Sequence, residues 1–322
     1  MPIIVVPDDE PPVLTGTVLE KRLRQLGEVR IYDSRALSDK ELLSRIADAD
    51  VVYNIRSTSI FSRNVMKNCP KLKLIAIYGV GYDNVDMEAA SELGVTVSNT
   101  PGYSSIAVSE TSLALMLAVA HNIVQNDRSI RSGDWARGYV SQLCGKTLGV
   151  VGTGNVGQRM IRLGKAIGMK IIAWTLHTFA GRAVEYGIEF VSLEELMSKS
   201  DVVSIHVLGV PQTDKLIGKR ELALMRPTAM LINTARGSVV DEEALVEALQ
   251  KGTIVGAGLD VFATEPLPPD HPLRSMENVV LSPHTAAMIP EATLAGMAMA
   301  ADNVANFLKG NPTNVVNPAP QG

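Results

Sequence analysis

The stretch KTLGVVGTGNVGQRM, Lys146 to Met160, decides how the rest of the chain is read. Thr147 to Val151 is a short apolar run of the kind that forms a buried strand, and from Asn155 the apolar spacing becomes that of an amphipathic helix ending near Gly168. Between them Gly152, Gly154 and Gly157 form G-x-G-x-x-G. A bare glycine triplet marks a turn more often than a site. Placed between a strand and a helix it reads as a dinucleotide-binding turn. The first glycine permits the tight turn, the second lets backbone approach a pyrophosphate, and the third lets helix pack on strand. The helix N-terminus, with the amides of Asn155 and Val156, adds N–H donors and a partial positive charge. The adenosine ribose is read about 20 residues further on, at the end of the next strand. After KIIAW, Lys170 to Trp174, that place is held by Thr175. An acid there would bind the ribose hydroxyls and repel a 2′-phosphate. Thr175 does neither strongly, and His177 and Arg182 follow it. The cofactor is therefore NAD or NADP, with the missing acid favouring acceptance of NADP.

Outward from this unit, β-type runs alternate with helical stretches along the whole chain. Before it stand IIVV at Ile3, VRIY at Val29, DVVYNI at Asp50, LKLIAIY at Leu72 and GVTVSN at Gly94. After it come KIIAW, DVVSIHV at Asp201, AMLINTA at Ala229, VGAGLDV at Val255 and NVVLSP at Asn278. This rhythm is that of βαβ units and parallel sheets. With 322 residues the chain suits two domains rather than one. The expected fold is α/β with two doubly wound parallel sheets: a Rossmann cofactor domain, residues 101–289, inserted in a flavodoxin-like substrate domain, residues 1–100 and 290–322. A single long helix is expected from about Ile106 to Arg131. The tail from Pro290 to Lys309 reads as a helix packing back on the first domain.

Composition excludes several classes of function. A net charge of -4 provides no basic field for a polyanion, so no nucleic-acid partner is expected. MPIIVVPDDEPP has no basic n-region and turns acidic, and so reads as a first strand rather than a signal peptide. LALMLAVA, Leu113 to Ala120, is far shorter than the roughly 20 residues of a membrane span. Cys69 and Cys144 lie far apart, without CxxC or Cys/His spacing, so reduced thiols in a cytoplasm are expected and no metal framework.

Several ordered motifs carry a resemblance. GKTLGVVGTGNVGQ, LINTARGSVVDEEAL, AGLDVFATEPLPPDHPL and NVVLSPHTA, preceded by YGVGYDNVD and NTPGYSSIAVSE, resemble the D-isomer-specific 2-hydroxyacid dehydrogenases, a family that includes glyoxylate/hydroxypyruvate reductases and D-3-phosphoglycerate dehydrogenases. The resemblance covers most of the chain. The chemistry also follows from the residues. Reducing a 2-oxo acid requires a cation to grip the carboxylate and polarise the carbonyl, and an acid to protonate the alkoxide as hydride arrives. Arg236 suits the first task, because its planar fork binds a carboxylate bidentately and stays charged; the family's substrate-binding Arg falls here. His284 suits the second, since imidazole titrates near neutrality. Glu265 would hydrogen-bond its other ring nitrogen and fix the tautomer. Singly, such residues are more often a surface ion-pair partner, a solvated acid and a structural histidine. Their joint occurrence inside the motifs is what makes a catalytic set.

The resemblance further implies cofactor contacts for Thr234, Ala235 and His206, and for Asp260 at the nicotinamide carboxamide, where a strand-end cap is the alternative. It also implies that amides around Val80 and Gly81 meet the substrate carboxylate, and that two copies pair through the long helix. Arg56 and Ser57, in NIRSTS, either face a small hydroxylated or phosphorylated group or form a capped loop. His121 and His271 look ordinary. The expected activity is reversible hydride transfer between NAD(P)H and a small 2-oxo/D-2-hydroxy acid, hydroxypyruvate or glyoxylate first. The alternatives are a D-3-phosphoglycerate dehydrogenase without a regulatory domain, for which the short tail leaves no room, and an NAD-sensing corepressor-like binding protein.

Overall fold

The computed structural model describes residues 1–56, 58–135, 137–177 and 180–317. The chain divides into two compact units, Met1–Tyr103 with Pro290–Gly322, and Ser104–Ile289. The two doubly wound α/β sheets expected from the sequence are present.

In the first unit β1 (Ile3–Val6), β2 (Glu28–Ile31), β3 (Val51–Asn54), β4 (Leu74–Ile77) and β5 (Thr96–Ser98) form an all-parallel sheet in the order β2-β1-β3-β4-β5. Strands buried on both faces need continuous apolar runs, and VVYN and LIAI are buried at every position. The helices between them are α1 (Val18–Arg24), α2 (Asp39–Ile46), α3 (Arg63–Lys67) and α4 (Met87–Glu92). Each starts at a capping residue, Thr17, Ser38, Ser62 or Asp86, whose side chain accepts a backbone N–H three residues on. One face of the sheet packs on α2, α3 and α4 through Leu42, Ile46, Val65, Met66 and Ala89. The other is covered by α1 and by the tail helix Pro290–Leu308, whose Met297, Ala300, Ala301 and Val304 pack against Ile4, Val6, Tyr53 and Leu74. The hydroxyl of Tyr53 donates to the Met297 carbonyl at 2.7 Å, tying strand to tail.

The second unit begins with a helix that departs from expectation. In place of one helix from Ile106 to Arg131 there are two, α5 (Ser105–Ala120) and α6 (Ile123–Arg131), bent by 62°. Asn122 between them is left-handed at φ 49, a conformation that asparagine adopts far more readily than a branched residue. The sheet is β6 (Thr147–Val151), β7 (Lys170–Trp174), β8 (Glu189–Phe190), β9 (Val202–Ile205), β10 (Met230–Asn233), β11 (Gly256–Leu259) and β12 (Val279–Leu281), parallel, in the order β12-β11-β10-β9-β6-β7-β8. The covering helices are α7 (Asn155–Ala166), α8 (Ala180–Tyr186), α9 (Leu193–Lys199), α10 (Lys219–Leu224) and α11 (Glu242–Gln250); the tail helix Pro290–Leu308 is α12. Leu115, Met116 and Ala120 of α5 are buried on this sheet. A Cβ at Gly258 of β11 would lie 2.9 Å from Leu115 Cβ, so the glycine is what lets α5 approach. Strand order reverses between β6 and β9, where such sheets open a crevice for ligands. Among the described residues no single helix is long and apolar enough to cross a membrane.

Candidate active site

The dinucleotide half of the site is built by glycines at the reversal point. Gly152 follows β6 at φ +98, its N–H donating to the Trp174 carbonyl at 2.7 Å, and a Cβ there would lie 2.7 Å from the carbonyl of His206, one residue past β9. A Cβ at Gly157 would come within 1.9 Å of the Gly152 carbonyl oxygen, so the turn can sit on α7 only with glycine at this position. Gly154, the N-cap of α7, faces open space and supplies no side chain to the first turn, whose residues include no acid. An uncapped helix N-terminus open on its ligand side fits a pyrophosphate, with the amides of Asn155 and Val156 as donors. Thr175 lies one residue beyond β7, beside this turn, and His177 is exposed. The side chain of Arg182 lies outside what is described. His206 bonds to Ser204 through Nε2 at 2.8 Å, and burial pushes its imidazole down to about 3. It is therefore neutral across the working pH range.

The three residues expected to be catalytic follow three neighbouring strands. Arg236 lies three residues past β10, Glu265 six past β11 and His284 three past β12. Asn233 brackets the first turn: its Oδ1 accepts the Ala235 N–H at 3.0 Å, and its Nδ2 donates to the Arg236 carbonyl at 2.9 Å. The Arg236 stem passes Gly209, where a Cβ would stand 2.8 Å from Arg236 Cγ. Glu265 Oε2 lies 2.7 Å from His284 Nδ1, and Oε1 accepts the Phe262 N–H at 3.0 Å. Burial alone would raise the Glu265 carboxyl. The bonds from His284 and the Phe262 amide, with the charges of His284 and Arg236, outweigh it and hold the carboxyl below its ordinary value. Glu265 is thus an ionised acceptor for Nδ1–H, which leaves Nε2 as the ring nitrogen not engaged by Glu265. The half-exposed His284 leaves that nitrogen accessible.

Asp260, expected at the nicotinamide carboxamide, is fully buried. Its carboxylate accepts the N–H groups of Thr285 and Ala286, each at 3.0 Å, and its carbonyl accepts the His284 N–H at 2.8 Å. These bonds hold His284 at φ 53, in the left-handed region. Asp260 therefore holds the His284 turn through both its carboxylate and its carbonyl. Thr234 directs its hydroxyl to Ser112 of α5 at 2.7 Å, and Ala235 offers backbone.

On the first unit, Gly79 at the end of β4 donates its N–H to Thr100 Oγ1 at 2.9 Å, and Asn99 Nδ2 donates to the Val80 carbonyl at 2.7 Å. Val80 and Gly81 are thereby held at the C-terminal edge of that sheet. Arg56, past β3, donates to the Pro11 carbonyl, and its buried Nε has no partner among the described residues. Ser57 lies outside the described residues. Two residues inside the quoted motif around Arg236 have structural roles that the motif alone does not assign. Asn233 could have been found, since Asn at a strand end forms such brackets. Gly237 could not: a Cβ there would lie 2.0 Å from the Phe262 carbonyl group, a contact between residues far apart in the chain.

A glycine-lined reversal point with an Arg, a Glu and a His at the adjacent strand ends defines the class: a dehydrogenase that uses a nicotinamide dinucleotide. Residues 113–286 match the family model described as D-isomer specific 2-hydroxyacid dehydrogenase, NAD binding domain. The chain is 42% identical over 301 residues to a glyoxylate reductase from Aeropyrum pernix, covering 90% of each. It is 42% identical to a D-3-phosphoglycerate dehydrogenase from Methanocaldococcus jannaschii, with 92% of this chain matching 57% of that protein. Among solved structures, an acyclic imino acid reductase in complex with NADPH and D-Arg aligns with a TM-score of 0.88 at 30% identity, over 98% of this chain and 99% of that one. The chain belongs to the D-isomer specific 2-hydroxyacid dehydrogenase family. It is an NAD(P)-dependent oxidoreductase of 2-hydroxy acids.

Proposed function

We propose that the chain reduces glyoxylate and hydroxypyruvate to their 2-hydroxy acids. The observation that carries this reading is the 2.7 Å contact between Glu265 Oε2 and His284 Nδ1 at the strand edge that also bears Arg236. The Arg236 guanidinium grips the substrate carboxylate as a fork and polarises the C2 carbonyl. When bound, the nicotinamide supplies hydride to C2. As negative charge develops on the carbonyl oxygen, His284 gives it the Nε2 proton, while Glu265 keeps hold of Nδ1–H and stabilises the ring in its charged form. In the reverse direction neutral Nε2 takes the hydroxyl proton.

NADPH is accepted alongside NADH, because Thr175 places no carboxylate where a 2′-phosphate would lie; a related structure holds NADPH. Two copies pair through the α5–α6 stretch, where Ile106, Ile123 and Ile130 are exposed in one chain.

The test is to follow oxidation of NADH and NADPH in parallel with glyoxylate, hydroxypyruvate, 3-phosphohydroxypyruvate and longer 2-oxo acids. Turnover is expected on the first two with either reductant, and a fall of about a hundredfold or more in His284→Ala. Dinucleotide binding without turnover on any of these acids, or a His284→Ala enzyme close to wild type, would sink the reading. A strong preference for 3-phosphohydroxypyruvate would move the substrate to the phosphorylated acid.

A further inference from the structure

Glu265 sits on an irregular loop with Pro266, Pro268 and Pro269, between β11 and the short 3-10 turn Pro272–Ser275. No strand or α-helix holds it, yet its carboxylate must meet one ring nitrogen. We propose that Glu242 and His271 form a clamp that fixes this loop and so positions the Glu265–His284 pair; the proposal rests on the proton-donor role given to His284 above.

Glu242 is the first residue of α11, and its side chain is 15% exposed. Oε2 accepts the Ala263 N–H at 3.0 Å and Oε1 lies 3.3 Å from His271 Nε2. One carboxylate therefore holds the loop on both sides of Glu265. It is not needed to cap the helix, since Asp241 already accepts the Ala244 N–H. The amides of Phe262 and Ala263, consecutive in the chain, are divided between two acids: Phe262 donates to Glu265 and Ala263 to Glu242. A shift at Ala263 is thus passed directly to the peptide that orients Glu265. At the far side, His271 Nδ1 accepts the Leu273 N–H at 3.3 Å, which leaves the ring proton on Nε2 to donate to Glu242. Leu273 is fully buried in the core, so the histidine ties the clamp to the packed interior. Arg274 closes the loop on itself by donating to the carbonyls of Pro268 at 2.8 Å and Leu267 at 2.6 Å. His271, ordinary by its place in a proline-rich loop, thereby becomes a positioning residue.

The test uses the whole enzyme with Glu242→Gln, His271→Gln, His271→Ala and, in parallel, His284→Ala, measured on glyoxylate. Glu242→Gln keeps shape but turns one of two acceptors into a donor. It should lower kcat about tenfold, on the scale of a small misplacement of a catalytic group, with KM and melting temperature near wild type. The limb of the kcat profile that requires a protonated donor should move to lower pH, because the donor loses a fixed carboxylate partner. His271→Gln, which can still donate to Glu242, should keep more of kcat than His271→Ala. Wild-type kcat and an unmoved limb in Glu242→Gln and His271→Ala, with His284→Ala inactive, would overturn the clamp alone. So would a loss of activity that goes only as far as the loss of folded enzyme on melting, with the limb unchanged. An active His284→Ala enzyme would overturn the clamp together with the donor role beneath it.

Discussion

Gly237 follows Arg236, and its missing side chain is what allows the Arg236 turn to rest on the Phe262–Ala263 peptide that leads to Glu265. Alanine there would place Cβ 2.0 Å from the Phe262 carbonyl carbon and oxygen, a distance no backbone tolerates. Gly237→Ala should cost about 1–3 kcal/mol, the usual scale for overfilling a packed region, and lower kcat by more than the loss of folded enzyme explains, since it parts Arg236 from Glu265. Gly154→Ala is the contrast: nothing lies within 4 Å of its Cβ, so stability should hardly change while KM for NADH rises. Thermal melts and steady-state kinetics on both variants check this, and equal behaviour of the two would contradict it. That Arg236, Glu265 and His284 are side chains suited to be cation, acceptor and acid was legible from residue type and motif. That Asp260 holds the His284 turn, and that Gly237 sets the spacing, was not, because each depends on a neighbour from another strand.

At the scale of elements, buried parallel strands were legible because each is a short apolar run between turn residues. The break between α5 and α6 was not, since the apolar spacing continues across it and only the left-handed Asn122 redirects the chain. The end of β9 carries a consequence for stability. Burial depresses the His206 imidazole from its ordinary 6.5 to about 3. Between these two values the unfolded chain takes up a proton that the folded chain refuses, so stability declines as pH falls through that window and the loss is complete below about 3. His206→Gln, which can keep a bond to Ser204, should flatten this part of the acid slope and leave stability above pH 7 little changed. Denaturant unfolding of both proteins across the window reads it directly, and parallel slopes would rule it out.

For the molecule as a whole, Ile123, Ile130, Trp135 and Tyr139 each expose half or more of their surface, Trp135 77%. Large apolar groups grouped on one stretch of chain favour a partner over water. Wild type should run as a dimer by light scattering and Ile123→Glu with Ile130→Glu as a monomer; a monomeric wild type would end the pairing proposal. The sequence by itself determined the alternation of strands and helices, the glycine turn that takes a dinucleotide, and the kinds of side chain available for acid, cation and acceptor, because propensity, periodicity and capping act between residues a few positions apart. Only the tertiary structure decided which of them meet. Residues 236, 265 and 284 share one edge because β10, β11 and β12 lie side by side. The close contacts at Gly152, Gly157 and Gly237, the burial of Asp260 and the clamp at Glu242 arise from packing between segments that no local pattern in the chain connects.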